Sequence, residues 1–295
     1  MMISSDWLHA FRVFAEDANL SRAAKRLRLS QPAVHAQLRK LSDSLGVPLY
    51  QRAGRGLVLT KEGVEVAAFA RDAEERAHDL LARLGGAADV DPRVVLAAGA
   101  GALLHVLGEG MRSFSRSYAG RLEILTADGA AAADAVSRGV ANVGVIATAA
   151  GASMNEELEA HRLTEVGQLV VVPRAHRLAR SRRATLAELD GERLVLPPEG
   201  RPQRIALDAA LAAKGVHVTA GALATGWELT LRLVELGAGL AIVNASVRIP
   251  RGLVARPLAE LPRIRYVALT RRRPRADAAA LVAALVAHGD AWQKP

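Results

Sequence analysis

The chain has 295 residues, more than one typical domain, and at 51% hydrophobic and 23% charged it can bury folded cores, which excludes a disordered polymer. It contains no cysteine, ruling out disulfides, thiolate metal sites and cysteine nucleophiles, and its formal charge of +9 favours a polyanionic partner without proving one. The start Met1–Trp7 lacks a basic region followed by an apolar run, and no 18-residue uncharged apolar stretch follows, so a soluble cytoplasmic protein with no membrane partner is expected.

Charge is unevenly placed. Residues 1–60 hold nine Lys/Arg against four Asp/Glu, residues 61–90 hold four against seven, and residues 251–295 hold nine against three, including Arg271-Arg272-Arg273-Pro274-Arg275, which reads as a solvated strand-end loop, with a secondary DNA or subunit contact as the alternative. In the first block Trp7, Phe11 and Phe14 recur at i, i+4, i+7, the core face of a helix. Ser21 is expected to cap a second helix running to Arg28, with Ala23 and Ala24 permitting close approach. Ser30 caps a third, with Pro32 in its first turn; Val34, Leu38, Leu41 and Leu45 form its apolar stripe and Gly46 ends it. Gln31, His35, Gln37 and Arg39 lie outside that stripe or at its margin, where they can reach base edges and phosphates. A bare trihelical module is equally compatible with a purely structural role.

Spacing over nearly sixty residues goes further. Ser21-Arg22-Ala23-Ala24-Lys25-Arg26-Leu27, Ser30-Gln31-Pro32-Ala33-Val34, Gln37-Leu38-Arg39-Lys40-Leu41, Leu45-Gly46-Val47-Pro48-Leu49-Tyr50, Arg52 and Leu59-Thr60-Lys61-Glu62-Gly63 together resemble the signature of LysR-type regulators. The resemblance implies sequence-specific, operator-binding regulation of transcription and makes Pro48–Thr60 a two-stranded wing. Gln31, Pro32 and His35 would then face bases; Ser21, Arg22, Arg39 and Arg52 phosphates; and Arg55 the minor groove. Ser30 belongs to the same surface. His35-Ala36 stands where the family commonly has Ser then Arg, and Ser42 where Glu is usual, so operator preference should differ.

From Lys61 to Leu84 a helix of about 36 Å is expected, too long for its own core. Val66, Ala70, Ala73, Ala77, Leu80 and Leu84 make a heptad seam, read as a dimerisation face because the family pairs through this element; a helix lying on its own domain is the alternative. Residues 85–92 read as a hinge.

After Pro92, strands are predicted at 94–98, 121–126, 143–147, 168–172, 193–196, 240–244 and 264–269, with helices at 102–116, 202–214, 227–237 and 277–288: an α/β pattern with mainly parallel sheets. The resemblance implies a region like a two-lobed periplasmic binding protein. The expected architecture is therefore an α/β multidomain chain: a winged helix-turn-helix (1–60), a linker helix and hinge (61–92), and an effector domain (93–295). Lobe one spans 93–162 and 263–290, and lobe two 165–258.

A small, anionic effector is expected between the lobes. Gly99-Ala100-Gly101-Ala102 opens a helix whose N–H groups can hold an anion, though Leu104 breaks any dinucleotide fingerprint and the hydroxyl common here in the family is missing. Family position adds Asp128, Thr148, Glu199, Gly200, Arg201, Arg204, Thr225 and Asn244. Arg201 and Arg204 are one turn apart and able to clamp a carboxylate, and Trp227 is a candidate wall. No catalytic motif occurs and the eight histidines lack metal spacing, so no enzyme activity, metal or cofactor is expected. Expected partners are double-stranded DNA, the effector, further copies in a homodimer or homotetramer, and RNA polymerase. Two rivals stay open: a cytoplasmic solute-binding protein, and a DNA-binding regulator with no effector.

Overall fold

The structure is a computed structural model that describes residues 3–54, 56–83, 93–149 and 158–293. Two compact units divide near residue 92. The first comprises α1 (Ser5–Ala15), α2 (Leu20–Leu27), α3 (Gln31–Leu45), a hairpin of β1 (Tyr50–Ala53) and β2 (Gly56–Leu59), and the long α4 (Lys61–Arg83). Phe11 and Phe14 are fully buried with Val34, Leu38, Leu41 and Leu49, and Trp7 packs at the margin.

The cap of α2 is Asn19 rather than the expected Ser21. Asn19 Oδ1 accepts the Arg22 N–H at 3.1 Å, whereas Ser21 lies inside the first turn with its side chain exposed. Arg28 then takes a left-handed φ of 55°, which lets the Leu29 N–H reach the Ala24 carbonyl at 3.0 Å and stops the helix. Ser30 Oγ accepts the Ala33 N–H at 3.3 Å to start α3, and Gly46 ends it at φ 72°.

The hairpin is tied to α4 through Thr60. Its hydroxyl donates to the Pro48 carbonyl at 2.7 Å and accepts the Gly63 N–H at 3.0 Å, and its own N–H donates to the Leu49 carbonyl at 3.1 Å. Backbones meet so closely here that a Cβ on Gly63 would stand 1.9 Å from the Leu49 carbonyl oxygen.

The second unit runs β3 (Arg93–Ala98), α5 (Ala100–His105), α6 (Gly108–Ser117), β4 (Arg121–Thr126), α7 (Gly129–Ser137), β5 (Val143–Ala149) and β6 (Leu158–Val166). It continues with β7 (Gln168–Pro173), β8 (Arg193–Leu196), α8 (Pro202–Ala213), β9 (Thr219–Leu223), α9 (Trp227–Glu235), β10 (Leu240–Asn244), β11 (Leu253–Pro257), β12 (Ile264–Arg271) and α10 (Ala276–Ala287). Two five-stranded sheets result, ordered β4-β3-β5-β12-β6 and β11-β7-β10-β8-β9, each with its own apolar core.

Several expectations change. The sheets are mixed, since β12 runs antiparallel to β5 and β6, and β7 antiparallel to β10 and β11. The expected first crossing at 162–165 falls inside β6, which pairs with β12, so the chain passes between sheets at Gly167. The helix expected at 102–116 breaks into α5 and α6, where Val106 and Leu107 turn into the core.

Replacing Gly63 with Ala should cost the N-terminal unit about 1–3 kcal/mol, because backbone must shift to admit the methyl group. Gly56→Ala, whose Cβ would meet nothing nearer than 3.8 Å, should be within about 1 kcal/mol of the parent. Urea unfolding of both variants, followed by far-UV circular dichroism, makes the comparison; equal stabilities would refute the steric reading of the junction.

Candidate nucleic-acid interface and ligand cleft

On α3 the buried stripe leaves Gln31, Pro32, His35, Ala36, Arg39 and Lys40 exposed, with Gln37 half-exposed. The side chains of Gln31 and His35 make no hydrogen bond among the described residues, so the first turns of the helix present free side-chain donors and acceptors. Ser30 has its hydroxyl engaged in the cap but stays on the surface. Ser21 and Arg22 are exposed at the start of α2, Arg22 lying 3.6 Å from Asp17; Arg39 lies 3.8 Å from Asp43. Both pairs are solvent-exposed and, at these distances, not hydrogen-bonded, so either guanidinium is available to a phosphate. Arg52 projects from β1, and Arg55 lies outside the described residues. Lys25 and Arg28 are further exposed cations of this unit that the residue pattern did not single out. The signal for Arg28 is its place in a turn that needs a left-handed residue.

The heptad seam on α4 divides. Val66 packs against the core of its own unit, and Ala70 is 1% exposed, so both are already covered within one chain, as the alternative reading of a helix lying on its own domain has it. Glu74 faces α1, where its carboxylate forms an ion pair with Arg12, 2.6 Å from Nε. Ala73 is half-buried and Ala77 exposed, while Phe69, absent from the seam, is 58% exposed. The Leu80 side chain and all of Leu84 lie outside the described residues.

In the second unit a cleft of roughly 830 Å³ opens between the two sheets. Gly99, Ala100, Gly101, Ala102, Asp128 and Thr148 line it from the first sheet's elements, and Arg201, Thr225, Trp227 and Asn244 from the second's. Glu199, Gly200 and Arg204 do not line it. Glu199 and Gly200 are exposed in the turn before α8, where Gly200 takes φ 78°. Arg204 is held away by its own helix: Nε donates to both carboxylate oxygens of Asp208 at 2.9 and 2.8 Å, and Nη1 to the Pro197 carbonyl at 3.2 Å. The expected two-arginine clamp therefore does not exist. Arg201 instead donates to Asp128 across the cleft at 3.2 Å. The Asp128 carboxyl sits below its ordinary pKa, chiefly because it accepts the Ala131 N–H and also through Arg201. The anion site expected at the start of α5 is likewise weak, since that helix is only six residues long, although no side-chain cap occupies its first N–H groups.

Three further contacts join the walls. His105 on α5 meets Glu228 on α9 at 2.7 Å. Asn244 Nδ2 donates to the Tyr266 hydroxyl at 2.8 Å, with both residues buried; burial pushes that phenol's pKa up, against the pull of Asn244. Trp227 seats its indole on Gly101, where a Cβ would lie 2.8 Å from Cδ1 and Nε1. Tyr266, Thr126 and Gln203 also line the cleft, and no sequence pattern pointed to them. Tyr266 sits inside an apolar strand, and its only signal is a hydroxyl that a buried position obliges to find a partner.

Known proteins agree with this architecture. Residues 5–64 match the bacterial regulatory helix-turn-helix protein, lysR family, and residues 87–290 the LysR substrate binding domain. The RuBisCO operon transcriptional regulator of Allochromatium vinosum is 29% identical over 251 residues, covering 83% of this chain and 80% of that protein. A full-length OxyR from Pseudomonas aeruginosa shares the fold at TM-score 0.74 and 20% identity over 97% of this chain and 95% of that one. Full-length CbnR complexed with its target DNA does so at TM-score 0.54 and 22% identity over 99% and 100%. The winged helical unit, the two-sheet domain and the two family matches together show that this chain belongs to the LysR family, as a DNA-binding transcriptional regulator with a substrate-binding effector domain.

Proposed function

We propose that the regulator reads its operator with the first turns of α3, Gln31, Pro32 and His35 facing base edges, while Ser21, Arg22, Arg39 and Arg52 hold phosphates. The observation that carries this reading is the exposed polar face of α3, on which the Gln31 and His35 side chains make no hydrogen bond among the described residues, together with exposed cations on α2 and β1. A small effector occupying the cleft between the sheets would bias the protein's conformation by binding one arrangement of the walls better than another.

Pairing of two copies would use the outer face of α4, where Phe69, Ala73 and Ala77 follow at i, i+4, i+8. An aromatic ring 58% exposed on an alanine-rich helix supports that face over the one already covered by α1. Ile124 and Leu125, exposed on the edge strand β4, support a second contact between effector domains.

Specificity and affinity should separate on DNA. Gln31→Ala should cost about 1–3 kcal/mol on the footprinted operator and far less on scrambled DNA. Arg52→Ala should weaken both and flatten the slope of log affinity against log salt by about one unit for each phosphate that is no longer neutralised. Titrations at several salt concentrations decide it, and a Gln31→Ala variant that weakens on both DNAs equally would reverse the assignment. For the pairing face, Phe69→Glu with Ala73→Glu should give monomers in sedimentation, since like charges would oppose across the interface; an unchanged mass would refute it.

A further inference from the structure

We propose that the effector of this protein is an uncharged, planar aromatic molecule bearing a hydrogen-bond acceptor, such as an amide or lactone carbonyl, and not an anion; this rests on the reading of the cleft as the effector site. Among the described residues, the titratable side chains lining the cleft are Asp128, Arg201 and Tyr266. The first two neutralise one another at 3.2 Å, and the Ala131 N–H fixes Asp128 as a carboxylate. An entering anion would have to take Arg201 from a carboxylate that is hydrogen-bonded to it and stays charged beside it, so the one cation among the described lining residues is a poor anchor for a carboxylate or phosphate.

What remains open in the cleft is neutral. Trp227 and the exposed Gln203 both line the cleft, and neither the indole Nε1 nor the amide makes a hydrogen bond among the described residues, so each is a donor left for a ligand. The phenol and amide of Tyr266 and Asn244 are turned on each other in the interior. Between these groups the walls are built largely of small residues, alanines at 100, 127, 130, 133 and 147 with Thr126, Thr148 and Thr225 among them. Gly101 gives the indole its seat, because any side chain there would displace the ring. A wall of small, mainly apolar residues beside an aromatic ring, with an indole N–H that makes no hydrogen bond among the described residues, suits a flat ring system whose carbonyl accepts that proton.

The test uses the full chain and two matched pairs: quinoline-2-carboxamide with quinoline-2-carboxylate, and 2-naphthamide with 2-naphthoate. Isothermal calorimetry should show at least one amide binding at millimolar concentration or below, at least about tenfold tighter than its carboxylate. Gly101→Ala, which evicts the indole, should abolish that binding, and Trp227→Phe, which keeps a ring but removes the N–H, should weaken it. If neither amide binds, the proposal is overturned. It is also overturned if a carboxylate binds more tightly than its amide and that advantage disappears in Arg201→Ala, an outcome that leaves the cleft as the effector site. Binding unchanged in both Gly101→Ala and Trp227→Phe would place the ligand elsewhere and overturn the cleft reading itself.

Discussion

The DNA-facing unit depends on one crowded junction. Thr60 bonds simultaneously to Pro48, Leu49 and Gly63, and the absent side chain of Gly63 lets the first turn of α4 lie against the strand entry at Leu49. Leu49 is in turn fully buried in the core built on Phe11, Phe14 and Leu38. The wing, the start of the long helix and the packing that orients α3 are thus set by the same few atoms. A hairpin of two four-residue strands has little stability alone, so its attachment, more than its own ladder, must hold Arg52 in place.

Where one periodicity dominates, the sequence is readable. The stripe of Phe11 and Phe14, the face of α3 and the apolar strands of the second unit each follow from burial on one side, and burial is what the structure reports for them. Reading fails where two local solutions compete. Asn19 and Ser21 are both capping types two positions apart, and only the backbone path chooses between them. Strand β6 mixes exposed Glu159, Ala160 and Arg162 with buried Leu163 and Thr164, because it lies at a sheet edge and has no clean alternation to show.

Arginine and tyrosine roles in the cleft are harder still. Spacing alone puts Arg201 and Arg204 one turn apart, yet Asp208, one turn beyond Arg204, is equally visible and wins by geometry within a single helix. Arg201 precedes α8 and is free to turn across the cleft, where Asp128 meets it. Pairing between segments distant in sequence, Asp128 with Arg201 or Asn244 with Tyr266, leaves no local trace; it emerges only when two sheets face each other.

The contacts that bridge the cleft also bound how it can respond. Arg201–Asp128 joins two half-exposed groups, and Glu228 is half-exposed opposite His105, so water competes for all but the imidazole, and such pairs contribute little net stabilisation. The Asn244–Tyr266 bond differs, since both partners are buried and separating them would leave an amide donor unsatisfied. The interior of the cleft is therefore a firm floor and its mouth a weak latch. A ligand that rests on the floor adds contacts without breaking that bond, whereas one that takes Arg201 must first open the latch and gains only the difference between two similar pairings. Since a ligand shifts a conformational balance only by its differential affinity for the two arrangements, contact with the apolar walls and the indole is the larger available source of that difference. The net charge of +9 carries no information on this point, because it is set by charged residues outside the cleft, while the one arginine among the described lining residues is paired with Asp128.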